Sequence, residues 1–162
     1  MTVNNNVYIN QLKPTAKAAM LIRKPIDQVF EAFINPNITS KFWFTKSSDR
    51  LEIKKQITWT WEMYSFSAQI NVQEIEKNKK ILIEWDTYKI PTLVEWQFTS
   101  ISSEETFVTI TNTGFIGDGD EVIEQAISST EGFTLVLAGA KAFLEHNIIL
   151  NLVSDRFPKK ID

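Results

Sequence analysis

The chain has 162 residues, the size of one ordinary domain, and 43% of them are hydrophobic, which is enough for a sizeable core. It contains no cysteine and one histidine, which excludes disulfide frameworks, thiolate chemistry and histidine-rich metal sites. The net charge of −3 favours neither nucleic acid nor an anionic membrane as a partner, and we expect no cofactor. The unusual figure is the aromatic content, with 5 Trp, 11 Phe and 3 Tyr.

The N-terminal stretch differs in composition from the rest of the chain. Residues 1–14 are polar and rich in asparagine up to Pro14, which predicts a flexible arm ahead of a single domain over 15–162. This stretch lacks the basic residues and the apolar run of a signal peptide, and no segment approaches the roughly 18 apolar residues of a membrane span. We therefore expect a soluble, cytoplasmic protein.

The first predicted elements are a strand and two short helices. Residues 16–23 form the strand, and Pro25 suits the first position of the helix that follows, where its missing N–H costs nothing. Apolar residues then recur at helical spacing, at Ile26, Val29, Phe30 and Phe33. Proline at 36 ends this helix and begins a second one, which carries Ile38 and Phe42 on one side and leads into Phe42-Trp43-Phe44.

From about 51 to 113 apolar and polar residues alternate, which is typical of antiparallel strands with one buried and one solvated face. Short connections, such as the basic turn at 77–80, indicate hairpins joined in sequence. The inward phase comprises Ile57, Trp59, Trp61, Met63, Phe66, Ala68, Ile70, Val72, Ile81, Ile83, Trp85, Val94, Trp96, Phe98, Val108 and Ile110. An apolar face of this extent needs a covering layer.

The C-terminal third supplies that layer. Asp118 followed by Glu121 has the spacing of a capping box and predicts the start of a helix. Ser128-Ser129-Thr130 interrupts the apolar stripe, so we expect a longer second helix that ends at Asn147. The small residues Gly139 and Ala140 would let this helix lie close to the sheet. The predicted fold class is α+β.

This order of elements resembles the SRPBCC (START-like, helix-grip) superfamily, and within it the activator of heat-shock-protein-90 ATPase homologue-like family. The resemblance covers about 16–158. The stretches that carry it are Leu21-Ile22-Arg23-Lys24-Pro25, Val29-Phe30-Glu31-Ala32-Phe33, Phe42-Trp43-Phe44, Trp59-Thr60-Trp61-Glu62-Met63-Tyr64, Ile83-Glu84-Trp85, Gly132-Phe133 with Leu137, Leu144-Glu145-His146 and Asp155-Arg156-Phe157-Pro158.

The resemblance implies a helix-grip fold, in which a curved antiparallel sheet wraps around a long C-terminal helix and two short helices follow the first strand. It also implies a mostly apolar cavity between the sheet and that helix, with Phe42-Trp43-Phe44 near the mouth. The cavity candidates are Phe42, Trp43, Trp59, Trp61, Tyr64, Trp85, Trp96, Phe98, Ile110, Asn112, Phe133 and Leu137.

The tryptophan cluster admits two interpretations. The rings either line a pocket for a hydrophobic or aromatic molecule, with indole N–H groups as orienting donors, or they fill the core. Asn112 shares the inward phase of Ile110, and Tyr64 is placed to reach the rim, so both are candidates for orienting a ligand. His146 near the end of the last helix suits a structural role, because a cationic imidazole interacts favourably with a helix C-terminus.

Carboxylates provide no clear catalytic pair. Glu62, Glu84, Asp86 and Glu95 fall on the polar strand phase, whereas a general acid or base needs an inward position beside the substrate. The acidic residues around Asp118 lack the calcium-loop spacing and suit helix capping.

Three functions stay open, in this order: a domain that binds a hydrophobic small molecule, an enzyme of the polyketide cyclase or dehydratase type, and a regulator of a heat-shock chaperone ATPase. The oligomeric state cannot be predicted from the sequence.

Overall fold

The computed structural model describes residues 13–87 and 90–159, so the predicted arm over 1–14 lies outside the described residues except for its last two positions. No helix in the described ranges is long and apolar enough to cross a membrane. The elements in chain order are β1 Ala16–Ile22, α1 Ile26–Ile34, α2 Pro36–Thr39, β2 Lys46–Ser47, β3 Gln56–Trp61, β4 Phe66–Glu76, β5 Lys80–Trp85, β6 Thr92–Ser102, β7 Glu105–Thr113, α3 Gly119–His146 and α4 Leu152–Asp155.

The strands form one antiparallel sheet in the order β1-β7-β6-β5-β4-β3-β2. Strands β3 to β6 are each paired with the next strand in sequence, as the hairpin pattern predicted. The two-residue strand β2, which was not predicted, pairs with β3, and β1 joins the sheet beside β7. The long helix α3 packs against the sheet, and two short helices follow the first strand. The predicted α+β fold class and helix-grip architecture are therefore confirmed.

The inward phase of the strands is buried, with three departures. Met63 lies in a 3₁₀ turn over Glu62–Tyr64 rather than in a strand, because the chain turns there and Ser65 takes a left-handed φ of 51°. Phe66 begins β4 at the rim of the sheet, where 41% of it is exposed. Trp85 at the end of β5 is only partly buried. All three lie where strands end, so the period-two rule weakens at one rim of the sheet.

Helix α1 packs Phe30 and Phe33 against Phe98 of β6, and the short helix α2 follows it. Pro25 is the N-cap of α1 rather than its first helical residue, because its ψ of 148° is extended. The side chain of Asn35 accepts a hydrogen bond from the Asn37 N–H, and Pro36 begins α2, as expected. Helix α2 ends at Thr39, so Phe42 follows it in a turn instead of lying on the helix.

The C-terminal helix is continuous, and the predicted interruption at Ser128-Ser129-Thr130 is wrong. Asp118 and Glu121 form the predicted capping box at its start, and Asn147 ends it with a left-handed φ of 55°. The serines break the apolar pattern without breaking the helix because Ser129 is buried against a polar partner on the sheet, where its hydroxyl donates to Asn112 Oδ1 at 2.8 Å.

Two glycines of α3 have different surroundings. A Cβ at Gly132 would meet no atom within 4 Å. A Cβ at Gly139 would lie 3.1 Å from Phe42 Cβ and 3.3 Å from the Phe42 carbonyl oxygen. Glycine at 139 therefore lets the turn after α2 approach the helix closely. The sequence analysis had predicted that this small residue lets the sheet approach.

Replacing each glycine by alanine should change stability in opposite directions. We expect Gly132→Ala to raise the free energy of unfolding by about 0.5–1 kcal/mol, because alanine is the better helix former. We expect Gly139→Ala to lower it by roughly 1 kcal/mol, because the crowding at Phe42 outweighs the same helical gain. Urea denaturation of both variants checks this, and equal shifts in the same direction would contradict it.

A buried carboxylate joins the end of α3 to the end of β1. The Glu145 side chain is 8% exposed, and its Oε1 accepts hydrogen bonds from the Arg23 backbone N–H at 2.7 Å and from Lys141 Nζ at 2.5 Å. Lys141 Nζ also donates to the Leu21 carbonyl oxygen. Burial by itself raises the pKa of Glu145, but the contacts with Lys141 and Arg23 outweigh it, so the pKa lies below its ordinary value.

This carboxylate should make stability depend on pH. A lowered pKa in the folded state stabilises the fold fully above the ordinary pKa of 4.5, and that contribution is lost as the pH falls through the folded-state pKa. We expect Glu145→Gln to cost stability at pH 7 and progressively less below pH 4.5. Urea denaturation of both proteins at pH 7 and near pH 3 measures the stability lost through the substitution. The loss should be larger at pH 7, and equal losses at both pH values would contradict the assignment.

Candidate ligand-binding pocket

A cavity of about 340 Å³ opens at the rim where β3 and β5 end and β4 begins, between α3 and the C-terminal segment. Aromatic and aliphatic side chains provide most of its wall. The lining residues are Trp43, Tyr64, Phe66, Trp85, Thr87, Ser128, Ser129, Glu131, Gly132, Phe133, Leu135, Val136, Val153, Arg156 and Phe157.

Trp43 is the central ring of the interior. Its indole centroid lies 4.8 Å from that of Trp59 and 5.8 Å from that of Phe133, in edge-to-face contacts. Trp85 and Trp96 are 6.1 Å and 5.9 Å away. Trp43 thus joins the turn after α2 to three strands and to α3, and it lies between the packed core and the cavity.

Most of the predicted cavity residues fill the core. Four of them line the cavity, namely Trp43, Tyr64, Trp85 and Phe133. Buried residues that are not part of its wall are Trp59, Trp61, Trp96, Phe98, Ile110, Asn112 and Leu137. Phe42 is also buried and borders a separate surface crevice of about 320 Å³ beside Gly139. Most rings of the cluster therefore belong to the core, and two of them, Trp43 and Trp85, border the cavity.

The indole N–H of Trp85, a residue of the pocket wall, is engaged within the protein. Trp85 Nε1 donates to Thr92 Oγ1 at 3.0 Å. Trp96 Nε1 is buried and has no hydrogen-bond partner among the described residues.

Asn112 is a structural clamp. Its Nδ2 donates to Thr92 Oγ1 at 2.9 Å and to the Leu93 carbonyl oxygen at 2.8 Å, while its Oδ1 accepts from Ser129. The side chain is completely buried, so these bonds replace the water that its amide loses. Asn112 joins β7, β6 and α3 at the inner side of the pocket, and both of its polar atoms are already engaged.

The outer wall is the segment that follows α3. The Tyr64 hydroxyl donates to the Val153 carbonyl oxygen and, at 3.3 Å, to that of Ser154. Arg156 Nε donates to Glu131 Oε1, and the pKa of Arg156 is raised by this carboxylate. The Phe157 ring packs edge-on to Tyr64 at 6.1 Å. The Tyr64 hydroxyl, a candidate for orienting a ligand, instead secures this wall.

Several wall residues were absent from the sequence-based set. Phe66 and Val136 occupy apolar positions of the strand and helix patterns, so the sequence indicates that they face inward. Whether an inward residue reaches the cavity depends on where the strands and the helix end, which these patterns do not give. Val153, Arg156 and Phe157 come after the last predicted helix, where no periodicity indicates which side faces inward. Phe157 belongs to a stretch that carries the family resemblance, and this was the only available signal for that wall.

Among the described residues, the carboxylate that lines the pocket is that of Glu131, which pairs with Arg156. The glutamates and aspartate considered from the sequence lie outside the pocket wall, and the pKa of Glu62 is lowered by its hydrogen bond with Lys46. His146 is the exposed last residue of α3 and lies outside the pocket wall. Within the described ranges, no group of His, Asp and Glu is placed to hold a metal ion. The wall of the cavity is mostly apolar.

Removing the Asn112 side chain should destabilise the fold. We expect Asn112→Ala to lower the free energy of unfolding by roughly 1–3 kcal/mol, because the buried Ser129 hydroxyl loses its acceptor. Asn71→Ala is a matched control on the outer face of the sheet, where the amide makes one long contact of 3.5 Å with Glu84. Urea denaturation should show little change for the control, and equal losses for both variants would contradict the assignment.

Comparisons with known proteins agree with this architecture. The sequence matches the family model described as "Activator of Hsp90 ATPase homolog 1-like protein" over residues 23–145. A search of curated proteins found no significant match.

Three solved structures illustrate the likeness. The protein SSP2350 from Staphylococcus saprophyticus is 31% identical, with a TM-score of 0.72 over 85% of this chain and 96% of that one. The Aha1 dimer from Colwellia psychrerythraea is 16% identical, with a TM-score of 0.69 over 82% and 97%. The di-domain ARO/CYC BexL of the BE-7585A biosynthetic pathway is 12% identical, with a TM-score of 0.72 over 82% and 46%. The last two show the fold alone. Because the family model matches most of its length, the chain belongs to the activator of Hsp90 ATPase homolog 1-like family, within the START-like helix-grip superfamily.

Proposed function

We propose that this protein binds a small hydrophobic molecule with aromatic character in the pocket beside Trp43. The observation that carries the proposal is the aromatic wall. The ring centroids of Trp85 and Phe133 lie 5.6 Å apart beside an unfilled volume of about 340 Å³. That volume lies at the lower end of the range of small-molecule sites. An apolar cavity of about 150 Å³ accommodates benzene, so this pocket suits a molecule of about two rings.

Apolar burial would supply most of the affinity. A two-ring molecule that buries on the order of 300 Å² gains roughly 7 kcal/mol before the costs of association, which corresponds to a micromolar or weaker dissociation constant. The indole N–H of Trp85 and the hydroxyl of Tyr64 already have acceptors within the protein. Selectivity among ligands would therefore depend on ring shape more than on directional hydrogen bonds.

A ligand of this class should be detectable in the purified protein and by titration. Extraction with organic solvent followed by mass spectrometry tests for a copurified molecule. Titration with 8-anilinonaphthalene-1-sulfonate, followed through tryptophan fluorescence, tests for a site. We expect saturable binding with quenching, because Trp43 and Trp85 line the pocket. An empty extract together with unsaturable fluorescence would contradict the proposal.

A matched pair of variants tests whether the probe binds in this pocket. Gly132→Leu adds bulk at the pocket border, at a position where a Cβ meets no atom within 4 Å, and it should weaken probe binding about tenfold or more. Gly119→Leu makes the same change at an equally open site on α3 outside the pocket wall, and it should leave binding unchanged. If both variants bind the probe as the wild type does, the probe does not occupy this pocket.

The family description supports a second candidate, regulation of a heat-shock chaperone ATPase. An ATPase assay of that chaperone with and without the purified protein separates this role from ligand binding.

The cyclase or dehydratase alternative has less support. Of its candidate side chains, Asn112 and Tyr64 are occupied by hydrogen bonds within the protein, and His146 is exposed and outside the pocket wall. Unchanged turnover of an identified substrate after their substitution would exclude these residues as catalytic.

A further inference from the structure

The pocket has one wall that differs from the others in how it is attached. Trp43, Trp85 and Phe133 belong to the packed interior, and moving them would disrupt ring contacts that extend across the sheet. The opposite side consists of Val153, Arg156 and Phe157, in or next to the four-residue helix α4. No residue of α4 is fully buried, so this wall can move without breaking any strand pairing.

The connection between α3 and α4 has the character of a hinge. Asn147 and Asn151 both take left-handed conformations with φ of 55°, a region that asparagine tolerates better than most residues. The three apolar residues between them are about half exposed, with 50% for Ile148, 49% for Ile149 and 45% for Leu150. Segments with few buried contacts open at a small fraction of the global unfolding free energy.

Besides the packing of Val153 against the core, three contacts join the α4 segment to the rim of the pocket. Tyr64 donates its hydroxyl proton to the Val153 and Ser154 carbonyl oxygens, Arg156 pairs with Glu131, and the Phe157 ring meets the Tyr64 ring. The ion pair is substantially exposed, so it exchanges readily with water. Tyr64 makes two of these three contacts, one through its hydroxyl and one through its ring, and we call its hydroxyl the latch of this segment.

We propose that residues 147–157 form a lid that opens about Asn147 and Asn151 to admit and release the ligand, with the Tyr64 hydroxyl as its latch. This inference rests on the proposed binding function. It adds that access to the pocket, and not only the fit of the ligand, sets the rates of binding and release. Closed, the lid completes the apolar wall; open, it exposes Trp85 and Phe133 to solvent at the rim.

Loosening and locking the lid should change the kinetics in opposite directions. Tyr64→Phe keeps the ring and removes the latch, so association and dissociation of 8-anilinonaphthalene-1-sulfonate should both accelerate about three- to tenfold, with a smaller change in affinity. To lock the lid, Glu131→Cys and Arg156→Cys can be joined by a bismaleimide, since the chain has no cysteine of its own. Both rates should then fall more than about tenfold relative to the unlinked double variant.

A matched control is available at the turn between β4 and β5. Lys79→Gln removes an exposed ion pair with Glu76 that lies outside the pocket wall, and it should leave both rates unchanged in stopped-flow measurements. Arg156→Gln removes the corresponding exposed pair at the lid and should accelerate both rates. If the Tyr64→Phe and cross-linked proteins bind and release the probe at wild-type rates, the segment is a fixed wall and the lid is excluded.

Hydrogen exchange tests the lid without any ligand. The amides of Asp155 and Arg156 donate to the carbonyl oxygens of Asn151 and Leu152 within α4. In Tyr64→Phe these amides should exchange about three- to tenfold faster, while those of the central strand β6 stay unchanged. Equal acceleration throughout the chain, or none in α4, would overturn the lid. Failure of the wild type to bind the probe would overturn the binding function instead, because the exchange result does not depend on it.

Discussion

The contact on which the rest of the interior depends is that of the Trp43 indole with its neighbours. The ring comes from a turn after α2, yet it packs edge-on against Trp59 of β3 and Phe133 of α3. Edge-to-face pairs add about 0.5–1.5 kcal/mol each beyond the area they bury. Because Trp43 lies between the sheet and α3, its size also fixes the gap between these layers, and the pocket is the part of that gap that the rings leave unfilled.

Polar contacts determine how the layers align. Asn112 joins two strands to α3 at one end of the pocket, while Glu145 joins α3 to the end of β1 near the other end of the helix. Apolar packing is tolerant of sliding, whereas a buried amide or carboxylate is costly unless its partners are in place. These two clamps hold a continuous helix of 28 residues in one register against the sheet, so the pocket keeps its shape.

The sequence predicted the regular part of this molecule well and the pocket poorly. Period-two alternation placed Trp59, Trp61 and Trp96 inward because each lies within a regular strand. It failed at Met63, where a 3₁₀ turn ends the alternation. The helical pattern failed at Ser129, whose buried partner lies 17 residues away. The pocket is built where such regular elements stop. Its outer wall depends on contacts between Tyr64 and a segment about 90 residues later, which no local pattern encodes.

The position of the pocket also follows from energetics. A closed void of its volume inside the core would cost on the order of 8 kcal/mol, which is comparable to the whole stability of a typical domain. The aromatic rings therefore fill the centre completely, and the unfilled space lies at the rim, where water can enter and the cost is avoided. A rim pocket needs a cover to become apolar on all sides, and the weakly packed α4 segment provides one. The same constraint that fills the core with tryptophan thus leaves the unfilled space beside α4, which has no fully buried residue.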